Sequence, residues 1–224
     1  MRILLRFLFS GIFLFLSAAF VRALFFCWNS FLSEWKVFLP VEIGVAVYLL
    51  VQIILFFLQR NLEFWETFCH ELNHTVFALL SFRRVESFFA HAESGGRVTF
   101  SGSPNPAIAL APYSFPLFAF CVAALSCLLI PEAKLVAQVA VGFFLAFHLG
   151  SVFRDARPRQ TDLQIYGYLF SYSTILFFNL FWVPFIAETC IHGFRGGFAW
   201  TRVGFGFAWD WILTFGRFLC SALS

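Results

Sequence analysis

Residues 70 to 74 read His70-Glu71-Leu72-Asn73-His74. On an α-helix, positions i and i+4 share a face, so both imidazoles can reach one divalent cation from a single helix. Glu71 falls beside them and can hold an attacking water as its general base. Zn²⁺ at such a site brings the pKa of that water toward roughly 7. The spacing therefore points to metal-assisted hydrolysis, with Zn²⁺ as cofactor, His70 and His74 as metal ligands and Glu71 as the catalytic residue.

A catalytic zinc needs a third protein ligand and one open position. The Asp residues stand at 155, 162 and 210. Asp162, in Gln160-Thr161-Asp162-Leu163-Gln164, begins an apolar run and can face into a bundle to meet the His pair. The bland alternative is a first-turn residue that only stabilises the helix start. Asp155 sits in an Arg-rich loop and reads as solvated, and Asp210 lies in an aromatic tail. His148 is the rival ligand, although a lone His on an apolar helix is more often packed and hydrogen-bonded. Glu66, one turn before His70, can orient that ligand or face water. Asn179 can meet a substrate carbonyl or an oxyanion, or bind a neighbouring helix.

The elements that must carry these groups are those of a membrane protein. The 224 residues are 61% hydrophobic and 12% charged, with 36 Phe. Soluble domains carry about 25% charged residues, and so many apolar side chains cannot all be hidden in one small core. A span needs about 20 apolar residues. Such runs occur at Leu4–Phe26, Phe38–Leu58, Asn61–Phe82, Ala107–Ile130, Leu135–Phe153 and Leu163–Ala187. The expected fold is an all-α polytopic membrane protein of about six transmembrane helices, the third carrying the His pair. Pro131 to Lys134 reads as a short turn between the fourth and fifth spans. Ionisable groups are costly in lipid, so those of the third helix are candidates for function. After that helix, Val85–His91, Glu93-Ser94-Gly95-Gly96 and Arg97–Phe100 read as a small β-hairpin with Gly at its turn.

We expect one membrane-embedded domain over 1–224. Residues 1–60 form two N-terminal spans, 61–190 a catalytic core, and 191–224 an aromatic interfacial tail. The net charge of +3 is scattered, which argues against a nucleic-acid surface. The six Cys form no CxxC pair and read as apolar fillers in helices. If the third helix runs from outside to cytoplasm, Arg22, Lys36, Arg83, Arg84, Arg97, Arg154, Arg157 and Arg159 are cytoplasmic. Arg2, Arg6, Arg60, Lys134, Arg195 and Arg202 are then opposite, a narrow positive-inside preference.

The His-Glu-x-x-His helix, the Gly-containing polar stretch after it and a later Asp at a membrane helix resemble the site-2 protease family of intramembrane zinc metalloproteases. The phrase Gln160-Thr161-Asp162 before an apolar helix is similar to a compact bacterial branch without PDZ or CBS domain. The resemblance covers about Asn61 to Asn179. It implies that His70, His74 and Asp162 bind zinc, that Glu71 is the base, and that the substrate is another membrane protein cut in or near its membrane segment. It implies a multi-pass protein of a bacterial inner membrane. In the family the hairpin dips toward the active site. The family's Asp lies in a Leu-Asp-Gly context, whereas Leu163 follows Asp162 here.

Two other classes compete. A catalytically inactive scaffold of the same fold would have no chemical need for Glu71. A proton- or metal-coupled transporter would more often show paired repeats and broken helices, and the chain has no evident repeat.

Overall fold

Away from water, a chain must satisfy its own backbone N–H and C=O groups, and a helix does so within one segment. The long Phe-, Leu- and Val-rich runs accordingly form helices. The structure is a computed structural model and describes residues 2–91 and 95–223. Its elements are α1 (Arg2–Ser33), α2 (Trp35–Phe57), α3 (Glu63–Leu80), β1 (Val85–His91), β2 (Gly95–Phe100), α4 (Pro106–Ser114), α5 (Leu117–Ser126), α6 (Pro131–Asp155), α7 (Thr161–Tyr166), α8 (Tyr168–His192) and α9 (Phe194–Leu223).

Among the described residues, α1, α2, α6 and α8 are long and apolar enough to cross a membrane. The pair α4 and α5 makes a fifth candidate, broken by a bend of 74°. This is fewer than the six spans expected, for two physical reasons. Glu63, Glu66 and Glu71 all fall within α3, which makes that helix too polar to count as a lipid-facing span. The expected continuous span Ala107–Ile130 is interrupted at Phe115-Pro116. Proline disfavours the helical conformation of its predecessor, and Phe115 is extended, with φ −129° and ψ 111°.

Two further boundaries differ from expectation. Pro131 to Lys134 is not a turn but the first turn of α6, where Pro's missing N–H is an orphan in any case. The expected sixth span is divided at Gly167, whose φ of 86° favours glycine. Asp162 therefore belongs to the short α7 rather than to the start of the long α8.

α2 lies against α6 at very close range. A Cβ on Gly44 would strike the Val139 backbone, and one on Gly142 would strike the Val41 carbonyl. Small residues facing each other are how membrane helices bring their backbones together. On the other side, Phe20 of α1 is fully buried and meets Phe177, Phe181, Trp200 and Phe205 edge-on. α9 lies lengthwise on α8 and α1. Phe198 packs on Phe185, Trp200 Nε1 donates to the Phe181 carbonyl at 3.1 Å, and Trp211 packs on Phe15.

β1 and β2 form the expected antiparallel hairpin, pairing Ser87 with Thr99 and His91 with Gly95. The tip residues Glu93 and Ser94, read as part of its turn, lie outside the described residues. The six cysteines are all free.

Candidate active site

α3 sets the first two groups by helix geometry alone. His70 Nε2 and His74 Nε2 come within 3.2 Å of each other. Glu63 and Glu66 occupy the first turn of α3, where acidic side chains suit the positive end of the helix dipole.

His74 is fixed from behind. Its Nδ1 lies 2.8 Å from the carbonyl of Ile108 on α4. A donor hydrogen bond from that nitrogen leaves Nε2 as the free lone pair, the usual way a protein sets a ligating imidazole. Inside a helix the Ile108 carbonyl would accept from the N–H four residues on, at position 112. That position is Pro112, which has no N–H. The proline thus leaves a carbonyl free within a buried helix, and His74 takes it. The start of α4 is tied to the end of α3 by Asn105, which accepts from Ile108 N at 2.8 Å and donates to Ser81 Oγ at 3.0 Å.

α7 delivers the carboxylate. Asp162 Oδ2 lies 3.5 Å from His70 Nε2 and 3.4 Å from His74 Nε2. One donor atom from each of His70, His74 and Asp162 lies within 4.8 Å of the others, the one such group of three or more His, Cys, Asp or Glu among the described residues. Leu163, fully buried, anchors α7, and Ser171 Oγ donates to its carbonyl at 3.0 Å. Tyr166 donates to the Pro104 carbonyl. Burial pushes the Asp162 carboxyl up, but hydrogen bonds and charge from His70 and His74 outweigh this and hold it well below the usual carboxylate range. Tyr113 completes the surroundings. Its hydroxyl donates to Asp162 Oδ2 over 3.4 Å, and its ring meets His70 edge-on at 5.2 Å.

Glu71 is buried beside this cluster and lies under the hairpin. A Cβ on Gly96 would collide with the Glu71 side chain, so only glycine permits this approach. Two cavities meet here. One of about 300 Å³ is lined by His74, Asp162, Arg97 and Pro104, and one of about 350 Å³ by Glu63, Glu66 and Asp155. Both share His70, Glu71, Gly96 and Gln160.

The other sequence candidates stand outside the cluster. Glu66 is buried against Arg154 in an ion pair rather than on His70. His148 Nε2 meets Asn179 Oδ1 at 3.0 Å, and Asn179 Nδ2 donates to the carbonyls of Tyr113 and Ile175 at 2.7 and 2.8 Å. His148 and Asn179 therefore join α6, α8 and α4. Asp155 ends α6 and lines the larger cavity instead of lying in a solvated loop.

Sequence reasoning missed Tyr113, Gly96 and the Ile108 carbonyl. Only the last has a local signal, a proline four residues beyond the carbonyl it frees.

A family model described as peptidase M50B-like matches residues 41–183, which contain the whole cluster. No curated protein and no solved structure matches the chain.

Proposed function

The chain belongs to the peptidase M50B-like family, and on that footing we propose that it is an intramembrane zinc endopeptidase, hydrolysing peptide bonds in or near membrane segments of other proteins. The observation that carries this reading is the convergence of His70, His74 and Asp162 beside buried Glu71. Two imidazole nitrogens and one carboxylate oxygen, opening on a cavity, are the donor set of a catalytic zinc with one position left for water or substrate. When bound, zinc supplies Lewis acidity toward the scissile carbonyl and acidifies a water.

The chain's own residues do the rest. His74, held by the Ile108 carbonyl, presents Nε2 in a fixed direction. Asp162 adds negative charge to the pair of neutral imidazoles. Glu71 takes a proton from the attacking water and can return it to the departing amine. Among the described residues β2 pairs with β1 alone, and its other edge could take up an extended peptide. A membrane helix hides its amides in its own hydrogen bonds, so a substrate must unwind before it is cut. Residues 61–190 form the catalytic core in this reading, with 1–60 and 191–224 packed around it.

The test is zinc per chain in detergent-purified protein, with cleavage of a single-span reporter in proteoliposomes. About one zinc is expected in wild type. Asp162→Ala should lose it, His148→Ala should keep it, and Glu71→Gln should keep zinc while cleavage disappears. Wild-type protein without zinc would overturn the reading and leave the scaffold or transporter in its place. Loss of zinc with His148→Ala alone would show that the third ligand is wrong.

A further inference from the structure

Far from the metal cluster, α9 carries a charge into the membrane and leaves it uncovered. α1 and α8 are long and apolar enough to cross a membrane, and α9 runs antiparallel along both. Phe198 packs on Phe185, Phe205 on Phe181 and Phe20, and Trp211 on Phe15, so rising numbers on α9 meet falling numbers on α8 and α1. Asp210 stands near the middle of α9, which runs from Phe194 to Leu223. That helix is about 45 Å long, against a hydrocarbon core of about 30 Å. A short carboxylate at this depth cannot snorkel to either headgroup layer as a Lys or Arg can. Asp210 is exposed, and among the described residues it has no ion pair.

Arg22 of α1 is the opposite charge at the same depth. It follows Phe20 by two residues, and Phe20 meets Phe177 and Phe181 at the middle of α8. The Arg22 guanidinium lies over the rings of Phe207 at 4.9 Å and Trp211 at 5.9 Å, the residues that bracket Asp210 along α9. The rings attract the cation but supply no anion. Arg22 is also exposed and without an ion pair among the described residues. Charged groups within a membrane almost always face a bundle interior or pair with one another. Here an acid and a base share one depth on one exposed flank and do not meet within the chain.

We propose that a second copy of this chain covers the flank formed by α1 and α9, with Asp210 of each copy paired to Arg22 of the other. Two copies inserted in the same orientation are related by a two-fold axis along the membrane normal, so each group meets only groups at its own depth. Such an interface must be complementary to itself. An acid and a base at equal depth on one face meet that condition with two reciprocal ion pairs. Gly206, one turn before Asp210, has open space where a Cβ would stand, which lets a facing helix approach closely. Arg202 lies eight residues nearer the start of α9, and its long side chain can reach the headgroups there.

The experiment is energy transfer between donor- and acceptor-labelled full chains in liposomes, over a range of protein densities. Wild type should transfer above the level of random encounter, and unlabelled wild type should compete the signal away. Arg22→Asp leaves two acids on the flank, and Asp210→Arg leaves two bases. Each variant alone should associate at least about tenfold more weakly than wild type. Donor-labelled Arg22→Asp mixed with acceptor-labelled Asp210→Arg should recover the transfer, because each copy supplies the charge the other lacks. A pair closed inside one chain would be broken in both variants and not restored by mixing, so failure to recover overturns the inference. Single variants that transfer as wild type does place the contact elsewhere and also overturn it. Wild type that is monomeric at every density overturns it as well and leaves the flank to a membrane partner of another kind. If the charge-reversed variants do not accumulate, Asp210→Asn decides: transfer lost supports the paired dimer, and transfer unchanged overturns it.

Discussion

At the scale of the residue, Gly96 shows how little tolerance Glu71 has. Any side chain at 96 would occupy the space of the Glu71 carboxylate stem. Gly96→Ala should therefore displace the base without touching a metal ligand. The expected outcome is a kcat reduced at least tenfold, with zinc content unchanged. Unchanged kcat would show that the hairpin yields. The His pair and Glu71 were legible in the sequence because a helix turn fixes their relation locally. Asp162 was singled out from the three aspartates by its place at the start of an apolar run, with His148 left as its rival. Gly96 and Tyr113 were not legible, since their roles depend on chain segments 25 residues from Glu71 and 43 from His70 meeting in space.

At the scale of the element, α4 works because it is imperfect. Pro112→Ala would restore an N–H that competes with His74 for the Ile108 carbonyl. The helix itself should become regular, since alanine is the better helix former, while the ligand loses its orientation. We expect zinc affinity to fall about tenfold with helical content unchanged by circular dichroism. Unchanged affinity would mean that the carbonyl serves both donors. The α2–α6 contact is the opposite case, where regular helices need close approach. Gly142→Val should clash with the Val41 backbone and lower the thermal midpoint in detergent, by the effect of about 1–3 kcal/mol typical of overpacking. Helix existence was readable from apolar runs along most of the chain. The breaks at Pro116 and Gly167 were not, because proline and glycine permit a bend without requiring one: Pro40 and Pro184 lie inside the unbroken helices α2 and α8.

At the scale of the molecule, the cluster ties together α3 and α7, two elements separated in the chain by the hairpin, the bent pair and α6. Zinc bound there, as proposed, would act as a cross-link between them. Removing it with a chelator should lower the thermal midpoint by several degrees, since a ligand at 100 times its Kd adds about 2.7 kcal/mol. Asp162→Ala should start at the lower midpoint and respond little to chelator. An equal drop in both proteins would place the bound metal elsewhere.

The hairpin's position over Glu71 also gives the groove a direction. Gly96 roofs the base, and the two cavities open on either side of it, one holding Glu63 and Asp155 and the other Arg97. Hydrolysis makes one new ammonium and one new carboxylate. In the proposed hydrolysis the acid-lined side would draw the ammonium and the Arg97 side the carboxylate, so the two fragments would part in opposite directions. A substrate strand would then lie with its C-terminal portion toward Glu63 and Asp155, its polarity set by the charges at the two exits.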